Sequence, residues 1–336
     1  MRSIKYFLLV IVVVAYGCGA PQAVQSTSIR NLEELAVTGY HSTGQSCMLD
    51  HMMAIPVREQ VVCINAMDGV PAWKYENTVD RAWTCVWIVP GNNQFLAGFE
   101  SSDMEKVVRL SRGGRILELI KSEEFGSKPV WVEDRWWRMT ETEFFADDAG
   151  FEIPESIPVF IYANGLFVYQ TVEGIVEARN SNGIAQWSWA PAKDNFHGVL
   201  SDLGWCIAFV SSDTLYAINP ESGELLWEIE ADVSVMPKEI ENGMVYAGGK
   251  FIKKVNLVGE VYETMELRWN ALDFEVADDG VAVLMPDRLM TFTHGWELLE
   301  DLYVNPQIDE LYVLPENRVA VCGYSQIFYQ SNPEKE

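Results

Sequence analysis

The sequence has few basic residues and few histidines, and it lacks the short motifs that mark several common kinds of catalytic site. Its 336 residues include 24 Lys and Arg against 49 Asp and Glu, with 4 His, for a formal net charge of −25. This balance disfavours nucleic acid and anionic lipid as partners. The chain has no Gly-x-Ser-x-Gly elbow, no phosphate loop and no Asp-x-Asp-x-Asp-Gly calcium loop. We therefore expect no catalytic residue, no cofactor and no metal ion.

Cysteine is too sparse and too scattered to build a zinc site or a dense disulfide framework. The chain has 6 cysteines and no Cys-x-x-Cys pair. Apart from Cys18 their number is odd, so at least one thiol stays unpaired. Cys63, Cys206 and Cys322 lie in apolar, strand-like segments, where a buried thiol acts as a small hydrophobe. A Cys47–Cys85 disulfide is left open, because spacing alone does not select a pairing.

No stretch between the strand-like segments shows about ten or more residues of clear helical periodicity, which argues against a parallel α/β fold. The clearest segment is instead a hairpin. Leu215 to Asn219 predicts a β-strand, Pro-Glu-Ser-Gly predicts a tight turn ending at Gly223, and a second strand carries Trp227. The sequence therefore predicts an all-β protein.

The step from turn glycine to tryptophan recurs along the chain. Gly69 leads to Trp73, Gly183 leads to Trp187, and Gly223 leads to Trp227 at the same spacing. A hairpin repeated in this way cannot bury its own apolar face, so neighbouring copies must cover it. Glycines able to close the same turn lie about 40 residues apart, the period expected for four-stranded blades. They are Gly69, Gly114, Gly150, Gly183, Gly223, Gly259 and Gly295.

This pattern of an apolar-Tyr-Ala-apolar-Asn strand, a Ser-Gly turn and then Trp resembles the β-propeller repeat of the pyrroloquinoline-quinone type. Leu215 to Trp227 is a near-complete match, the copies ending at Trp73 and Trp187 are good, and the others are degenerate. The repeat is shared by quinoprotein dehydrogenases and by non-enzymatic propellers, which include the B-subunit lipoprotein of the outer-membrane barrel-assembly machinery. The dehydrogenases carry a Cys-Cys pair that this sequence lacks. The resemblance therefore implies the non-enzymatic branch.

We expect a closed β-propeller of four-stranded antiparallel blades, with eight blades favoured and seven as the alternative. After the Gly295 unit, residues 318–322 and 326–329 predict two more strands, but no Gly-x-x-x-Trp strand follows. The missing strand would come from near residues 37 to 48. Closure of this kind would leave no free sheet edge.

The N-terminal residues predict export. Arg2 and Lys5 precede an apolar run from Tyr6 to Ala15, which is too short for an ordinary membrane span. Gly17-Cys18-Gly19 resembles a bacterial lipobox in which Cys18 takes the lipid; the alternative is an ordinary cleavage site in a soluble exported protein. We assign residues 1–17 to a signal peptide, 18–36 to a lipid-anchored tether, 37–331 to a single β-propeller domain and 332–336 to a tail.

Two degenerate repeats replace the tryptophan. Glu263 takes its place after Gly259, and Pro154 takes it after Gly150, so we expect the docking of that ring between blades to be lost there. Such drift is tolerated in a fold whose blades contact only their neighbours.

Arg135, Trp136, Trp137 and Arg138 form an aromatic and basic cluster on an acidic protein. Tryptophan and arginine are common anchors of protein interfaces, so these four residues are a candidate exposed patch that binds a partner. The alternative is that one of the two rings faces inward, because neighbouring side chains alternate along a strand.

The sequence favours a membrane-anchored, non-catalytic β-propeller lipoprotein of the bacterial outer membrane or cell surface, acting as a protein-binding scaffold in outer-membrane protein assembly. Its partners would be other envelope proteins and, through the lipid on Cys18, the membrane; nucleic acid would not bind, and the propeller would be monomeric. The alternative is a periplasmic quinoprotein-type or sugar-active enzyme that uses the central channel. A lineage-specific surface lipoprotein with an unknown partner is a third hypothesis.

Overall fold

The computed structural model describes most of the chain from residue 46 to residue 323. The described ranges are 46–65, 70–77, 83–101, 105–122, 127–146, 149–191, 198–211, 213–278, 280–303, 308–314 and 318–323. The predicted signal peptide, its lipid-bearing Cys18, the tether and the C-terminal tail all lie outside these ranges. The chain divides into two compact units, Met1–Glu124 with Leu272–Glu336, and Phe125–Ala271.

The described residues form strands and the turns between them, with 30 strands in all. They assemble into seven four-stranded antiparallel sheets and one two-stranded sheet, and strands that follow one another in sequence pair with one another. The expected all-β fold of four-stranded antiparallel blades is confirmed. Seven complete blades match the alternative count, and the additional hairpin corresponds to the incomplete last unit.

The first unit holds three blades and the hairpin. Blade 1 consists of β1 (Cys47–Leu49), β2 (Met52–Val57), β3 (Gln60–Asn65) and β4 (Pro71–Glu76). Blade 2 consists of β5 (Thr84–Gly91), β6 (Gln94–Glu100), β7 (Glu105–Ser111) and β8 (Ile116–Ser122). Strands are numbered in the order of the chain. Blade 7 and the hairpin also belong to the first unit, but they follow the second unit in sequence and therefore have higher numbers.

The second unit holds four blades. Blade 3 consists of β9 (Val130–Val132), β10 (Arg135–Met139), β11 (Glu143–Ala146) and β12 (Ala149–Glu152). Blade 4 consists of β13 (Ser156–Ala163), β14 (Leu166–Thr171), β15 (Val176–Arg179) and β16 (Ala185–Trp189). Blade 5 consists of β17 (Val199–Asp202), β18 (Ile207–Ser211), β19 (Thr214–Ile218) and β20 (Leu225–Glu230). Blade 6 consists of β21 (Val235–Ile240), β22 (Gly243–Gly248), β23 (Phe251–Asn256) and β24 (Val261–Glu266).

The first unit resumes after the second. Blade 7 consists of β25 (Asp273–Ala277), β26 (Gly280–Met285), β27 (Arg288–Thr293) and β28 (Leu298–Tyr303), and the hairpin of β29 (Ile308–Leu314) and β30 (Arg318–Gly323). The predicted strand at residues 318–322 is therefore confirmed, whereas the one at 326–329 lies outside the described residues.

The N-terminal strand does not close the last sheet. Residues 47–49 pair with β2 and open blade 1, so the prediction that the segment near residues 37 to 48 supplies the missing strand is wrong where it is described. Within the first unit, however, the hairpin does contact the first described residue. The Tyr312 hydroxyl in β29 donates to the Ser46 carbonyl at 3.1 Å, just before β1 begins.

The turn that leads into the outermost strand of a blade is held by a polar side chain. In blade 5, the Asn219 side-chain oxygen accepts from the Glu221 and Ser222 amides, while the Gly223 amide donates to the Asn219 carbonyl. Gly223 has a φ of 71°, a conformation that costs other residues more. Asn180 and Asn256 bind their turns in the same way. The Asn at the end of the repeat's inner strand is therefore a local turn determinant.

Two of the predicted turn glycines have other roles. Gly150 lies inside β12, paired with Phe145, instead of closing a turn. In blade 7 the left-handed position is taken by Trp296, with a φ of 62°, one residue after Gly295. Sequence spacing located both turns to within a few residues, but it did not determine which residue adopts the left-handed conformation.

The core lies between the blades, on their inner strands. Every residue of β2, β18, β19, β22 and β26 is buried. Of the outermost strands, by contrast, β20 buries only Trp227, and β24 has exposed or half-buried residues throughout. A strand enclosed on both faces has to be apolar throughout, whereas an outer strand carries polar groups at its free edge. The surface available to a partner is therefore formed largely by outer strands and turns.

Candidate protein-binding surface

The repeat tryptophan of one blade docks on the turn glycine of the next. A Cβ added to Gly223 would lie 2.7 Å from Trp187 Cδ2, and the Trp187 indole N–H donates to the Pro220 carbonyl at 3.0 Å. Trp227 does the same one blade later, contacting Gly259 and donating to the Leu257 carbonyl at 3.1 Å. Only a residue without a side chain lets the indole lie this close to the turn.

In the first unit, Trp73 makes the equivalent contact with blade 2. Its indole N–H donates to the Arg112 carbonyl at 2.7 Å, and a Cβ on Gly114 would lie 2.6 Å from its ring. Gly69, the turn glycine predicted before Trp73, lies outside the described residues. The repeat residues thus form the joints between neighbouring blades.

A small residue faces each docking tryptophan across its own blade. Trp227 pairs with Ala217, Trp187 with Ala178, and Trp73 with Cys63. A larger side chain at these positions would compete with the indole for the same layer of the core. This explains the alanine of the Tyr-Ala motif.

In blade 3 a different residue makes the contact with the turn glycine of the next blade. A Cβ on Gly183 would lie 2.6 Å from Phe151, which occupies the place that Trp187 and Trp227 hold in later blades. The expectation that docking is lost in the Gly150 unit, because Pro154 stands at the tryptophan position, is therefore wrong. Phe151 lies in β12, three residues before Pro154. The turn of blade 3 therefore lies at a different point in the sequence from the one that the repeat spacing predicts.

The predicted patch at residues 135–138 is mostly buried. Trp136, Trp137 and Arg138 are buried, and Arg135 alone of the four is exposed. The Trp137 ring lies 4.7 Å from the Phe167 ring, and the Arg138 side chain donates to the Ser127 carbonyl at 3.2 Å. An exposed four-residue patch was therefore the wrong expectation: β10 is an inner strand, so both of its faces are covered. A partner contact by Arg135 stays a prediction.

The described cysteines are buried and unreactive. Burial raises the pKa of the Cys206 thiol to about 12 and raises that of Cys63 further, which confirms the expected apolar sites of these two residues. Cys85 keeps its thiol, which donates to the Trp87 carbonyl at 3.8 Å, so no Cys47–Cys85 disulfide forms. The side chain of Cys322 lies outside the described part.

The remaining candidates for chemistry are metal-binding groups and the histidines. The described residues contain no group of three or more His, Cys, Asp and Glu side chains that could hold a metal ion. The His294 Nε2–H donates to the Asp278 carbonyl at 3.2 Å, which is a turn contact. Nor does this part of the chain include a helix long and apolar enough to cross a membrane.

Exposed apolar side chains recur at the start of the outermost strands. They occupy the first two positions of β8 (Ile116 and Leu117), β20 (Leu225 and Leu226), β24 (Val261 and Tyr262) and β28 (Leu298 and Leu299). The signal in the sequence is an apolar pair beginning two residues after the turn, as in Gly-Glu-Leu-Leu-Trp. These pairs were not among the candidate site residues predicted from the sequence.

One such surface within a single unit spans blades 5 and 6. It comprises Leu225, Leu226, Leu257, Val258, Val261 and Tyr262, which are 42–69% exposed, and we name it the blade 5–6 rim. A hydrogen bond joins the two segments that carry it, because the Trp227 indole N–H of β20 donates to the Leu257 carbonyl in the next turn. Apolar surface of this kind on a water-exposed strand edge is typical of protein-binding sites.

These sheets and joints define the chain as a β-propeller protein. No protein-family model matches the sequence, and no curated protein matches it either. Solved structures do match the fold. The chain is similar to BamB from Moraxella catarrhalis at a TM-score of 0.64 and 12% identity, over 87% of this chain and 95% of that one.

Two further solved structures show how widely this fold is shared. Sqt1 from Saccharomyces cerevisiae has a TM-score of 0.67 at 10% identity, over 88% of this chain and 96% of that one. The computationally designed protein Ika8 has a TM-score of 0.65 at 11% identity, over 87% and 96%. At such identities the similarity shows the fold alone.

Proposed function

We propose that the chain is a membrane-anchored, non-catalytic β-propeller lipoprotein that binds other envelope proteins as a scaffold. The observation that carries the proposal is the exposed apolar blade 5–6 rim on an otherwise acidic surface. Residues of a scaffold that contact partners lie on the surface of a rigid fold, and this rim lies on hydrogen-bonded strands and turns.

The N-terminal sequence supports anchoring. A basic head, an apolar run and Gly17-Cys18 are the features of an exported lipoprotein, with the lipid on Cys18. A single lipid chain binds a membrane only weakly, whereas several chains on one cysteine anchor a protein firmly.

A role in outer-membrane protein assembly is the finer part of the proposal. Its support is twofold: the repeat resembles that of the barrel-assembly lipoprotein, and the fold is similar to BamB. Both are likenesses of architecture, so the partner has to be identified directly.

Anchoring is tested by fatty-acid labelling in a bacterial host. The wild-type chain should incorporate an alkyne-tagged fatty acid and sediment with membranes, and Cys18→Ser should do neither. A Cys206→Ser variant is the matched control and should label like the wild type, because Cys206 is buried. Labelling of Cys18→Ser at the wild-type level would contradict the lipid assignment.

Scaffold function is tested by crosslinking in intact cells, followed by identification of the captured proteins. We expect envelope proteins, captured reproducibly and in the folded state. The catalytic alternative is tested on the purified chain with pyrroloquinoline quinone and calcium. A quinone absorbance that stays with the protein through gel filtration would contradict a non-catalytic role.

A further inference from the structure

We propose that the blade 5–6 rim binds a segment of a partner protein in which lysine and arginine flank apolar residues. This inference rests on the proposed scaffold function and specifies the chemistry of the partner. It follows from three features of the rim: its exposed apolar side chains, the acidic segments that carry them and its fixed backbone.

The apolar side chains of the rim lie on two segments that a hydrogen bond holds together. Leu225 and Leu226 open β20, and the next residue, Trp227, is anchored to the Leu257 carbonyl of the adjoining turn. Leu257 and Val258 therefore lie beside the start of β20, and Val261 and Tyr262 follow directly in β24. Covering these side chains removes apolar surface from water, which favours a partner with apolar side chains of its own.

The two segments that form the rim carry one sign of charge. Residues 219–230 and 256–266, which contain the rim, include no Lys, Arg or His. They include seven glutamates, namely Glu221, Glu224, Glu228, Glu230, Glu260, Glu263 and Glu266. Glu263 is paired with Lys254, and the other six are exposed. Carboxylates on the same segments as exposed apolar side chains attract a basic segment and repel an acidic one.

The same charge argues against two other occupants. An anionic lipid surface would meet six exposed carboxylates, and so would a second copy of this chain, whose net charge is −25. Like charges brought together at a contact oppose binding and suppress wrong partners. A basic segment of a different protein is the occupant that suits both the apolar side chains and the acidic segments that carry them.

The backbone of the rim is fixed before any partner binds. The Asn256 side-chain oxygen accepts from the Val258 and Glu260 amides at 3.1 and 2.9 Å. Asn219 holds the blade 5 turn in the same way, with contacts of 2.8 and 3.0 Å. A preformed surface loses little conformational entropy on binding. A small contact area is therefore enough to bind a partner.

The test uses two fluorescent peptides of equal length and equal leucine content. One alternates leucine with lysine and the other alternates leucine with glutamate, and binding to the purified full chain is followed by anisotropy. We expect the lysine peptide to bind, and to bind more weakly as salt rises, because exposed charge pairs are screened. The glutamate peptide should not bind. Equal binding of the two peptides would overturn the proposal.

Three sets of variants locate the site. The double variant Leu225→Ser with Leu226→Ser should weaken binding of the lysine peptide about tenfold, because it removes apolar contact area. The triple variant Glu224→Gln, Glu228→Gln and Glu260→Gln should also weaken it and should flatten the salt dependence. Leu298→Ser with Leu299→Ser, at the same strand positions of blade 7, is the matched control and should leave binding unchanged.

The remaining outcomes separate this inference from the scaffold function. If wild type and the Leu225/Leu226 variant capture the same envelope proteins in equal yield in cells, the rim assignment fails and the scaffold function stands. If the lysine peptide binds at the rim but no envelope protein is captured, the scaffold function fails alone. Binding to neutral phosphatidylcholine vesicles that the Leu225/Leu226 variant loses would assign the rim to a membrane and overturn the proposal.

Discussion

Lys254 and Glu263 face each other across blade 6 as a partly buried ion pair, with Nζ and Oε2 2.6 Å apart. They occupy the positions of Ala217 and Trp227 in blade 5, since both pairs are opposed in the same register between the third and fourth strands. Blade 6 therefore replaces a small residue and an indole with a cation and a carboxylate.

Blade 2 makes the same replacement independently. Arg109 and Glu118 are opposed in register and lie 2.5 Å apart, and Glu118 follows its turn glycine at the tryptophan spacing. Degenerate repeats in this chain thus substitute one complementary pair for another. A change at one position of such a pair has to be matched at the other, because an unpaired charge in this layer is costly.

The ion pair in blade 6 should contribute more to stability than the one in blade 2. The Lys254 side chain is 6% exposed and that of Glu263 is 40% exposed, whereas Arg109 and Glu118 are 30% and 42% exposed. Glu263→Gln removes the carboxylate that faces the buried Lys254 ammonium and should lower the free energy of unfolding by about 1–2 kcal/mol, after allowing for solvent screening. Urea unfolding of the purified chain measures the loss.

Glu118→Gln is the matched control for this prediction. It should cost less than about 1 kcal/mol, the usual range for an exposed pair. An equal or larger loss in Glu118→Gln would show that burial of Lys254 does not set the energy of the pair.

The joint between blades 4 and 5 should tolerate no side chain at its glycine. Gly223→Ala places a methyl group against the Trp187 ring and also puts alanine at a φ of 71°. Gly165→Ala shares the backbone cost, with a φ of 80°, but its methyl group would meet nothing within 4 Å. We expect Gly165→Ala to lose about 1 kcal/mol of unfolding free energy and Gly223→Ala about 2 kcal/mol more.

Denaturant unfolding of both glycine variants provides the comparison, because the left-handed backbone is common to the two. Losses that agree within error would mean that the indole can move aside, and that the joint is looser than the close approach of Trp187 implies.

Trp187 should contribute through its indole N–H as well as through its ring. Trp187→Phe keeps an aromatic ring but leaves the Pro220 carbonyl without its donor, so we expect a loss of about 1–2 kcal/mol. Trp136 is also buried, yet its indole N–H has no hydrogen-bond partner in the described part of the chain. Trp136→Phe removes a donor that is already unsatisfied, and should cost less than Trp187→Phe.

Thermal unfolding followed by circular dichroism compares these two phenylalanine variants. A larger fall in Tm for Trp136→Phe than for Trp187→Phe would contradict the idea that the indole hydrogen bond stabilises the joint.

The chain should lose stability at alkaline pH, in part through Tyr169. This hydroxyl is buried, donates to Glu177 at 2.7 Å and accepts from Arg179 at 2.8 Å. Burial first, and then the Glu177 carboxylate, raise the pKa of Tyr169 above its ordinary value of 10.0. A raised pKa in the folded state gives stability that is complete below pH 10 and is lost as the pH rises further, because only the unfolded chain ionises there.

Urea unfolding across that range, on wild type and Tyr169→Phe, isolates the contribution of this residue. Tyr169→Phe should be less stable than wild type near neutral pH, since it loses two hydrogen bonds, and its stability should fall less steeply above pH 10. Parallel pH profiles would show that Tyr169 ionises as readily in the folded chain as in the unfolded one.

Much of the blade architecture followed from local chemistry. The hairpin from Leu215 to Trp227 was predicted in full, and it forms β19, the Asn219–Gly223 turn and β20. The side chain of Asn219 and the left-handed Gly223 fix that turn within five residues, so no distant part of the chain is needed. The same logic located four-stranded units along the chain even where the tryptophan is missing.

The candidate binding surface did not follow from local chemistry. Trp136 and Trp137 resembled an interface anchor, but β10 is an inner strand and both rings are buried. Leu225 and Leu226 were not predicted as site residues, but they open an outer strand and are exposed. Successive side chains of a strand point to its two opposite faces. This alternation does not reveal whether a neighbouring blade covers either face.

The amino-acid sequence by itself determined the turns, the repeat period and hence the all-β blade architecture, since these depend on backbone conformation and hydrogen bonds within a few residues. The tertiary structure alone decided which ring fills each joint, which aromatic residues are buried and where apolar side chains reach solvent. Those outcomes depend on contacts between residues about 30–40 positions apart, as between Trp187 and Gly223, because each blade is buried by the next one.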